Sequence, residues 1–242
     1  MKLSKRLEAI ADFVSPGNSL CDVGCDHGFI PIYLVQSGKI PSALAMDINE
    51  GPLKACMEHV KEADLTDRIT TRLSNGLCHY GIGEAKSLVI AGMGGPLICK
   101  ILSDEKAYDF EELILEPQSE LRNFRLFLKE NGFHILDENL VCEDGKYYPI
   151  MKACPKERLP EGTEIENRES EELELRFGPV LLKKKHPVLV QYLTKQLEIQ
   201  NRIFQQLKNH GSEENHGGES GRLSGVVEEI RYIEKALEIC NR

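Results

Sequence analysis

The stretch Ser19-Leu20-Cys21-Asp22-Val23-Gly24-Cys25-Asp26-His27-Gly28, running into Phe29 to Gln36, decides the fold. Ser19 to Val23 is a short apolar run of the kind that forms a buried strand. It ends in a glycine-bearing turn. Phe29 to Gln36 then reads as a helix, stopped by Ser37-Gly38. The unit recurs downstream. Ala43 to Ile48 is a second buried strand, and Glu50 to Ala63, carrying Leu53, Met57 and Val60, is a helix. Arg68 to Leu73 is a third strand. Ser87 to Ala91 ends in Gly92-Met93-Gly94-Gly95, ahead of a helix at Leu97 to Leu102. Glu112 to Leu115 is a strand stopped by Pro117, and Leu121 to Glu130 a helix closed by Asn131-Gly132. Upstream, Leu3, Leu7, Ile10, Ala11 and Val14 recur at helical spacing, so residues 2 to 14 read as a helix before the turn Ser15 to Asn18. Alternating strands and helices predict an α/β fold: a mostly parallel sheet covered by helices on both faces.

Phe133 to Val141 and Tyr147 to Ala153 read as two strands around the hairpin turn Glu143-Asp144-Gly145-Lys146. Pro149 inside the second strand predicts an edge position or a bulge, because proline has no N–H to give a ladder. Composition shifts after Pro155 to a segment dense in Glu and Arg. Beyond it, Val190, Leu193, Leu197, Gln200, Phe204 and Leu207 alternate spacings of three and four. Leu223, Val226, Ile230, Ile233, Leu237 and Cys240 do the same. That is the apolar seam of a coiled coil. The polar, Gly-rich run Asn209 to Gly221 reads as a flexible loop between the two helices. The reading is an antiparallel helical hairpin closing its own seam, which favours a monomer. The rival is a coiled-coil dimer, with the seam paired between two chains. The expected domains are residues 1–155 and 156–242.

The 242 residues carry 30 Lys and Arg against 39 Asp and Glu, for a net charge of −9. That excludes a uniformly polybasic nucleic-acid binder but leaves room for local basic patches. No apolar run approaches the roughly 20 residues of a membrane span, and the N-terminus lacks a signal-peptide pattern. The eight cysteines are scattered and form no CxxC, which points to reduced thiols in a cytoplasmic protein and to no metal site.

In an open α/β sheet, ligands bind at the carboxyl ends of the strands. Three turns lie there. In the first, Gly24 and Gly28 are four apart with Asp26 between them, so the G-x-G-x-x-G of a dinucleotide site is absent. Asp26 would repel a pyrophosphate but accept from a cationic or amine-bearing ligand, and Asp22 at the strand end points the same way. This disfavours a nicotinamide-dependent dehydrogenase. In the second, Asp47 within Met46-Asp47-Ile48-Asn49 can accept from both hydroxyls of a ribose. It could equally cap the next helix, a role Asn49 could also fill. In the third, Asn75 and Gly76 within Ser74-Asn75-Gly76-Leu77 can hold an adenine edge. Together they suggest a nucleoside without phosphates and with a positive centre, which S-adenosylmethionine matches.

At these residues the sequence resembles a family. The stretch Asp22 to Pro31, the later Ala91-Gly92-Met93-Gly94-Gly95 and Glu143-Asp144-Gly145-Lys146 look like the bacterial TrmK-type tRNA (adenine(22)-N1)-methyltransferases. The resemblance covers nearly the whole chain. It implies a class I Rossmann-like methyltransferase sheet, S-adenosylmethionine as methyl donor, N1 of adenine 22 in tRNA as acceptor, and a C-terminal coiled-coil-like arm that helps hold tRNA. It implies that Gly24 lies beside the donor's amino acid tail, that Asp47 takes the ribose hydroxyls, and that Asn75 and Gly76 flank the adenine. Asp22, Cys25 and Ile48 complete the donor site. Asp26 and His27 would lie at the rim between donor and acceptor. Ala91 to Gly95 would line the acceptor pocket, with Ala91 and Gly92 toward the cofactor and Met93 and Gly94 at the catalytic centre.

The chemistry is consistent with that implication. Adenine N1 carries no proton before attack, so no strong base is needed and positioning with electrostatics can suffice. Asp26 is the candidate carboxylate for the cation that forms, with His27 as its orienting partner. The loop Gly92 to Gly95 has no side-chain amide or carboxylate for an exocyclic amine, which fits a ring-nitrogen target. N1 lies on the Watson–Crick edge, so the base must be exposed first, at a cost that tRNA backbone contacts must offset. Candidate contacts are Lys2, Lys5 and Arg6 and the cluster Lys183-Lys184-Lys185. The alternatives are a methyltransferase on another substrate and a non-catalytic nucleoside-binding interaction protein.

Overall fold

A computed structural model describes residues 2–159, 171–210 and 217–241. The chain divides into two compact units, residues 1–167 and 168–242.

Among the described residues the first unit holds seven strands: β1 (Leu20–Val23), β2 (Ala43–Asp47), β3 (Ile69–Leu73), β4 (Ser87–Met93), β5 (Glu112–Pro117), β6 (Phe133–Glu143) and β7 (Lys146–Pro155). They form one sheet in the order β3-β2-β1-β4-β5-β7-β6. The first five are parallel, while β7 runs antiparallel to β5 and to β6. Five helices accompany them: α1 (Lys5–Phe13), α2 (Phe29–Gln36), α3 (Glu50–Glu62), α4 (Gly95–Leu102) and α5 (Leu121–Glu130). A 3₁₀ turn at Glu105–Asp109, absent from the sequence reading, precedes β5.

The short strands β1 and β2 are buried along their whole length, as befits parallel strands covered on both faces. Their side chains alternate between two cores. Leu20, Ala43, Ala45, Val89 and Ile114 pack with α1, α2 and α3. Cys21, Val23, Leu44, Met46, Leu88 and Ile90 pack with α4 and α5. Helix α1 begins at Lys5 rather than residue 2, because the Ser4 hydroxyl caps it by accepting from the Leu7 N–H at 3.3 Å.

Two strands outrun the sequence reading. β4 continues through Gly92 to Met93, with its register against β5 shifted between Ala91 and Met93. β5 continues through Glu116 to Pro117. The hairpin turn has positive φ at both Asp144 (49°) and Gly145 (76°), the geometry of a two-residue turn that matches strand twist. β7 is an interior strand, yet β5 pairs with it only through Met151 to Ala153. Pro149 therefore sits on a stretch whose β5 side is unpaired, and its missing N–H costs no ladder bond there.

At the amino ends of β4 and β5 lies a buried polar hub. The Ser15 N–H and hydroxyl donate to Glu112 at 2.8 and 2.6 Å, and the Ser87 hydroxyl donates at 2.5 Å. The Lys152 ammonium pairs with the same carboxylate at 2.6 Å. Burial pushes the Glu112 carboxyl up, but Lys152, Ser15 and Ser87 outweigh it and hold it below the usual range. The hub joins β4, β5, β7 and the segment after α1.

The second unit contains α6 (Glu171–Phe177), α7 (Pro179–Lys183), α8 (Pro187–His210) and α9 (Gly217–Asn241). Helices α8 and α9 pack on each other. About 36 Å of helix in the 24 residues of α8 cannot be retraced by the short link before α9, so the two run antiparallel. Leu193, Ile233 and Cys240 of the expected seam are buried, joined by Leu189 and Ala236, while the rest of the seam is half-buried. Arg176 anchors α6 to α9 through Glu229 and by lying over the Tyr232 ring at 4.4 Å. α9 starts at Gly217, inside the run read as a loop. The remainder of that loop, residues 211–216, and most of the Glu/Arg-rich segment, residues 160–170, lie outside the described residues.

Glu112→Ala is expected to strand the Lys152 charge and to cost about 3 kcal/mol of stability, read from urea unfolding at neutral pH. A loss below about 1 kcal/mol would show that the hub does not brace the sheet.

Candidate active site at the carboxyl ends of the strands

β1 lies between β2 and β4, so the chain leaves it toward α2 on one face and leaves β4 toward α4 on the other. A cleft of about 670 Å³ opens where these connections part. Its wall contains every residue named for the donor: Asp22, Gly24, Cys25, Asp26, Asp47, Ile48, Asn75, Gly76, Ala91 and Gly92. His27 and Met93 also line it. Gly94 does not. It caps α4, and a Cβ there would meet the Ser119 hydroxyl at 3.0 Å, so it shapes the loop from behind.

The glycine turn is tightly constrained. The N–H groups of Gly24 and Cys25 both donate to the Met46 carbonyl, at 2.8 and 3.0 Å. Gly24 has φ +77°, and a Cβ on it would lie 2.1 Å from the Met93 methyl carbon. Only glycine brings the backbone this close to the opposite wall. Cys25 is buried, and its thiol is held protonated by its hydrogen bond to Cys56, by burial and by the nearby carboxylates. It is a packing group, not a nucleophile.

Asp22 and Asp47 are both buried at the cleft floor. Asp47 accepts the Asn49 N–H at 2.8 Å and faces the Asp26 N–H at 3.4 Å. Asn49, at the start of α3, makes no side-chain cap bond of its own. Burial, and then the charge of Asp47, push the Asp22 carboxyl from 3.8 up to about 7. The floor thus favours a cation.

Asp26 and His27 stand exposed at the rim, with His27 Nε2 3.7 Å from an Asp26 oxygen. His27 stacks on Phe29, and Phe29 on His59, with ring centroids 5.4 and 5.6 Å apart. His59 Nδ1 lies 3.0 Å from the His27 carbonyl and steadies the turn. On the β3 side the buried Ser74 hydroxyl donates to the Gly76 carbonyl at 2.8 Å, which leaves Asn75 exposed in the wall.

The opposite wall holds residues that the sequence reading missed. Glu116, fully buried, accepts the Gly92 N–H at 2.8 Å and pairs with Arg6 at 3.1 Å. Gly92 has φ +77° and sits at the register shift of β4. Glu116 therefore pins the one irregular residue of that strand. Burial pushes its carboxyl up, opposed by Arg6, the Gly92 N–H and Gln118. Arg6 also lies over the Tyr148 ring at 5.2 Å and lines the cleft together with Gln118. Arg6, named with Lys2 and Lys5 as a candidate tRNA contact, thus has its guanidinium engaged in the wall. Lys2 and Lys5 are exposed, as are Lys183, Lys184 and Lys185 of the second unit. A signal for Glu116 and Gln118 was present, since both lie at the carboxyl end of β5, where ligands of an open α/β sheet bind, but only the turns after β1, β2, β3 and β4 were read for it.

Residues 3–151 match a family model described as a methyltransferase domain. The tRNA (adenine(22)-N(1))-methyltransferase of Bacillus subtilis (strain 168) is 31% identical over 237 residues, 96% of this chain and 97% of that protein. The structure of Sp1610 from Streptococcus pneumoniae in complex with S-adenosyl-L-methionine superposes with a TM-score of 0.81 at 33% identity, covering 98% of this chain and 100% of the other. That of M. capricolum TrmK with the natural cofactor product S-adenosyl-homocysteine gives 0.80 at 27% identity, covering 99% and 100%.

The raised carboxyl of Asp22 has a consequence for stability. Between its unfolded value of 3.8 and about 7 the folded chain keeps a proton that the unfolded chain releases, so this group's contribution falls as pH rises through that window. Asp22→Asn is expected to remove that component and to be more stable than wild type at about pH 8 but not at about pH 4, by urea unfolding. Parallel profiles would place the Asp22 carboxyl in the ordinary range.

Proposed function

Because the chain belongs to the tRNA (adenine(22)-N(1))-methyltransferase family, we propose that this cleft carries out that family's reaction, transferring a methyl group from S-adenosylmethionine to N1 of adenine 22 in tRNA. The observation that carries the reading is the cleft floor. Two buried carboxylates, Asp22 and Asp47, flank a glycine turn that presses the backbone against Met93. This environment fits a cationic nucleoside and would reject a pyrophosphate.

When bound, the donor supplies an activated methyl group. The chain's residues do the rest by placement. Asp47 takes the ribose hydroxyls, with Asn49 N–H holding its other oxygen. Asp22 faces the positive end of the donor, with Gly24 and Cys25 turning the backbone around it. Ile48, Asn75 and Gly76 form the wall for the donor's adenine. Ala91, Gly92 and Met93 separate donor from acceptor. Asp26, exposed at the rim, stabilises the charge that develops on the methylated base, and His27 orients it. No side chain needs to remove a proton from N1, so the reaction rests on orientation and electrostatics.

The helical unit, residues 168–242, acts as the arm that holds tRNA. Lys183 to Lys185, exposed at the turn between α7 and α8, give it a positive end. Lys2 and Lys5 offer a second positive point. The seam between α8 and α9 closes within the chain, which supports a monomer. Among the described residues no helix is long and apolar enough to cross a membrane, and the enzyme works in the cytoplasm, where its substrate is.

Methyl transfer to an unmodified tRNA transcript is expected, with labelling lost when guanine replaces adenine 22. Equal labelling of that control would overturn the position. Reversing the charge at Lys183, Lys184 and Lys185 is expected to weaken tRNA binding and to shallow its salt dependence by up to about three counterions, with donor affinity retained. An unchanged salt slope would remove the arm from tRNA binding.

A further inference from the structure

The β4 turn, Gly92 to Gly95, has no side-chain amide or carboxylate to meet the 6-amino group of the target base. The fold supplies one from the next strand. Gln118 follows β5, is exposed, and lines the cleft beside Gly92. Its side-chain nitrogen is on the Gly92 side: a Cβ placed on Gly92 would lie 3.9 Å from it and 3.6 Å from Arg6 Nη1. Its backbone N–H donates to the Met93 carbonyl at 2.9 Å, which locks the residue to the turn. Behind it stands Glu116. One carboxylate oxygen takes the Gly92 N–H and Arg6. The other is buried with no close partner, and the Gln118 amide is the neighbouring donor that acts on that carboxyl.

An ionised carboxylate accepts only, so it draws the NH₂ end of a neighbouring amide. An amide set that way turns its oxygen toward the cleft as an acceptor. We infer that Glu116 sets the Gln118 amide in this way and that Gln118 reads the six-position of the target base, its oxygen accepting from the 6-amino group while N1 beside it stays open. This rests on the tRNA-adenine reading above.

The chemistry makes the contact selective and catalytic at once. Adenine presents an amino donor where guanine presents a carbonyl acceptor. Guanine at this point sets two acceptors against each other, which costs far more than a lost contact. During transfer the N1 lone pair forms the bond to the methyl carbon, the bond from carbon to sulfur breaks, and its electron pair stays on sulfur. The base becomes a cation whose charge is shared with the 6-amino group. An acceptor on that group therefore binds the transition state better than the ground state. Glu116, two positions before it and tied to Arg6, is the positioning residue that sets the amide.

The test compares two tRNAs assembled with either adenine or purine, which lacks the amino group, at position 22. Wild type is expected to prefer adenine, partly because purine N1 is a weaker nucleophile. Gln118→Ala is expected to lower kcat/KM on adenine by about 10-fold and on purine hardly at all. Donor affinity by calorimetry should be unchanged, since Gln118 is exposed and outside the donor wall. Equal losses on both bases, or no loss on either, would overturn the inference, because a merely structural role does not sense the amino group. A wild-type enzyme inert on both tRNAs would instead overturn the tRNA reading, and the inference with it.

Discussion

Parallel pairing of β1 with β2 on one side and β4 on the other is the constraint from which the site follows. Parallel strands need crossovers, and right-handed crossovers that run in opposite directions along the sheet, from β1 to β2 and from β4 to β5, must lie on opposite faces. The helices therefore part above β1, and nothing in the backbone can fill the gap. A cleft at the carboxyl ends is the geometric remainder. At the amino ends of β4 and β5 the Glu112 hub ties these strands to β7 and to the segment after α1 through Lys152 and Ser15. One end of the sheet is satisfied internally, while the other keeps carboxylates that await a partner.

Those carboxylates divide the cleft into two chemically different walls. On the floor, Asp22 and Asp47 sit close enough for burial and mutual repulsion to raise Asp22 to about 7. Such a pair is costly in the free protein and is relieved by a cation. On the far wall, Glu116 is already relieved by Arg6 and by the Gly92 N–H. Its charge is used to hold a backbone turn. Similar residues thus stand open to the cleft in one place and are already engaged in the other, and burial together with the nearest cation decides which. Asp26, at the rim in water, belongs to neither group.

The distribution of charge gives the net value of −9 a spatial meaning. Acidity is concentrated where a cationic nucleoside fits, and exposed lysines lie at the start of the chain and at the turn before α8. Arg6 stands between these regimes. By sequence it extends the basic N-terminus, but its guanidinium lies over Tyr148 and against a buried carboxylate. Removing it would therefore disturb the β4 turn as well as the surface charge.

Sequence by itself determined the alternation of strands and helices, the three turns that line the cleft, and the apolar seam of the tail. These are local: a buried strand reads as an apolar run, a helix as a period, and a turn residue such as Gly24 or Asp47 follows directly on its strand. α2 was legible to the residue for that reason. What escaped was non-local. β4 and β5 run past Ala91 and Leu115 because each supplies the other's hydrogen-bond partner across a register shift, and no pattern within either strand announces it. Arg6 and Glu116 are 110 positions apart, and only the packing of α1 against the sheet brings them together. Gly94 and Met93 are neighbours in sequence, yet one faces the cleft and the other faces away, because backbone direction at a bulge is set by the adjacent strand. The tertiary structure decided the far wall, since a carboxylate's role depends on which cation and which N–H it meets, and those partners come from distant parts of the chain.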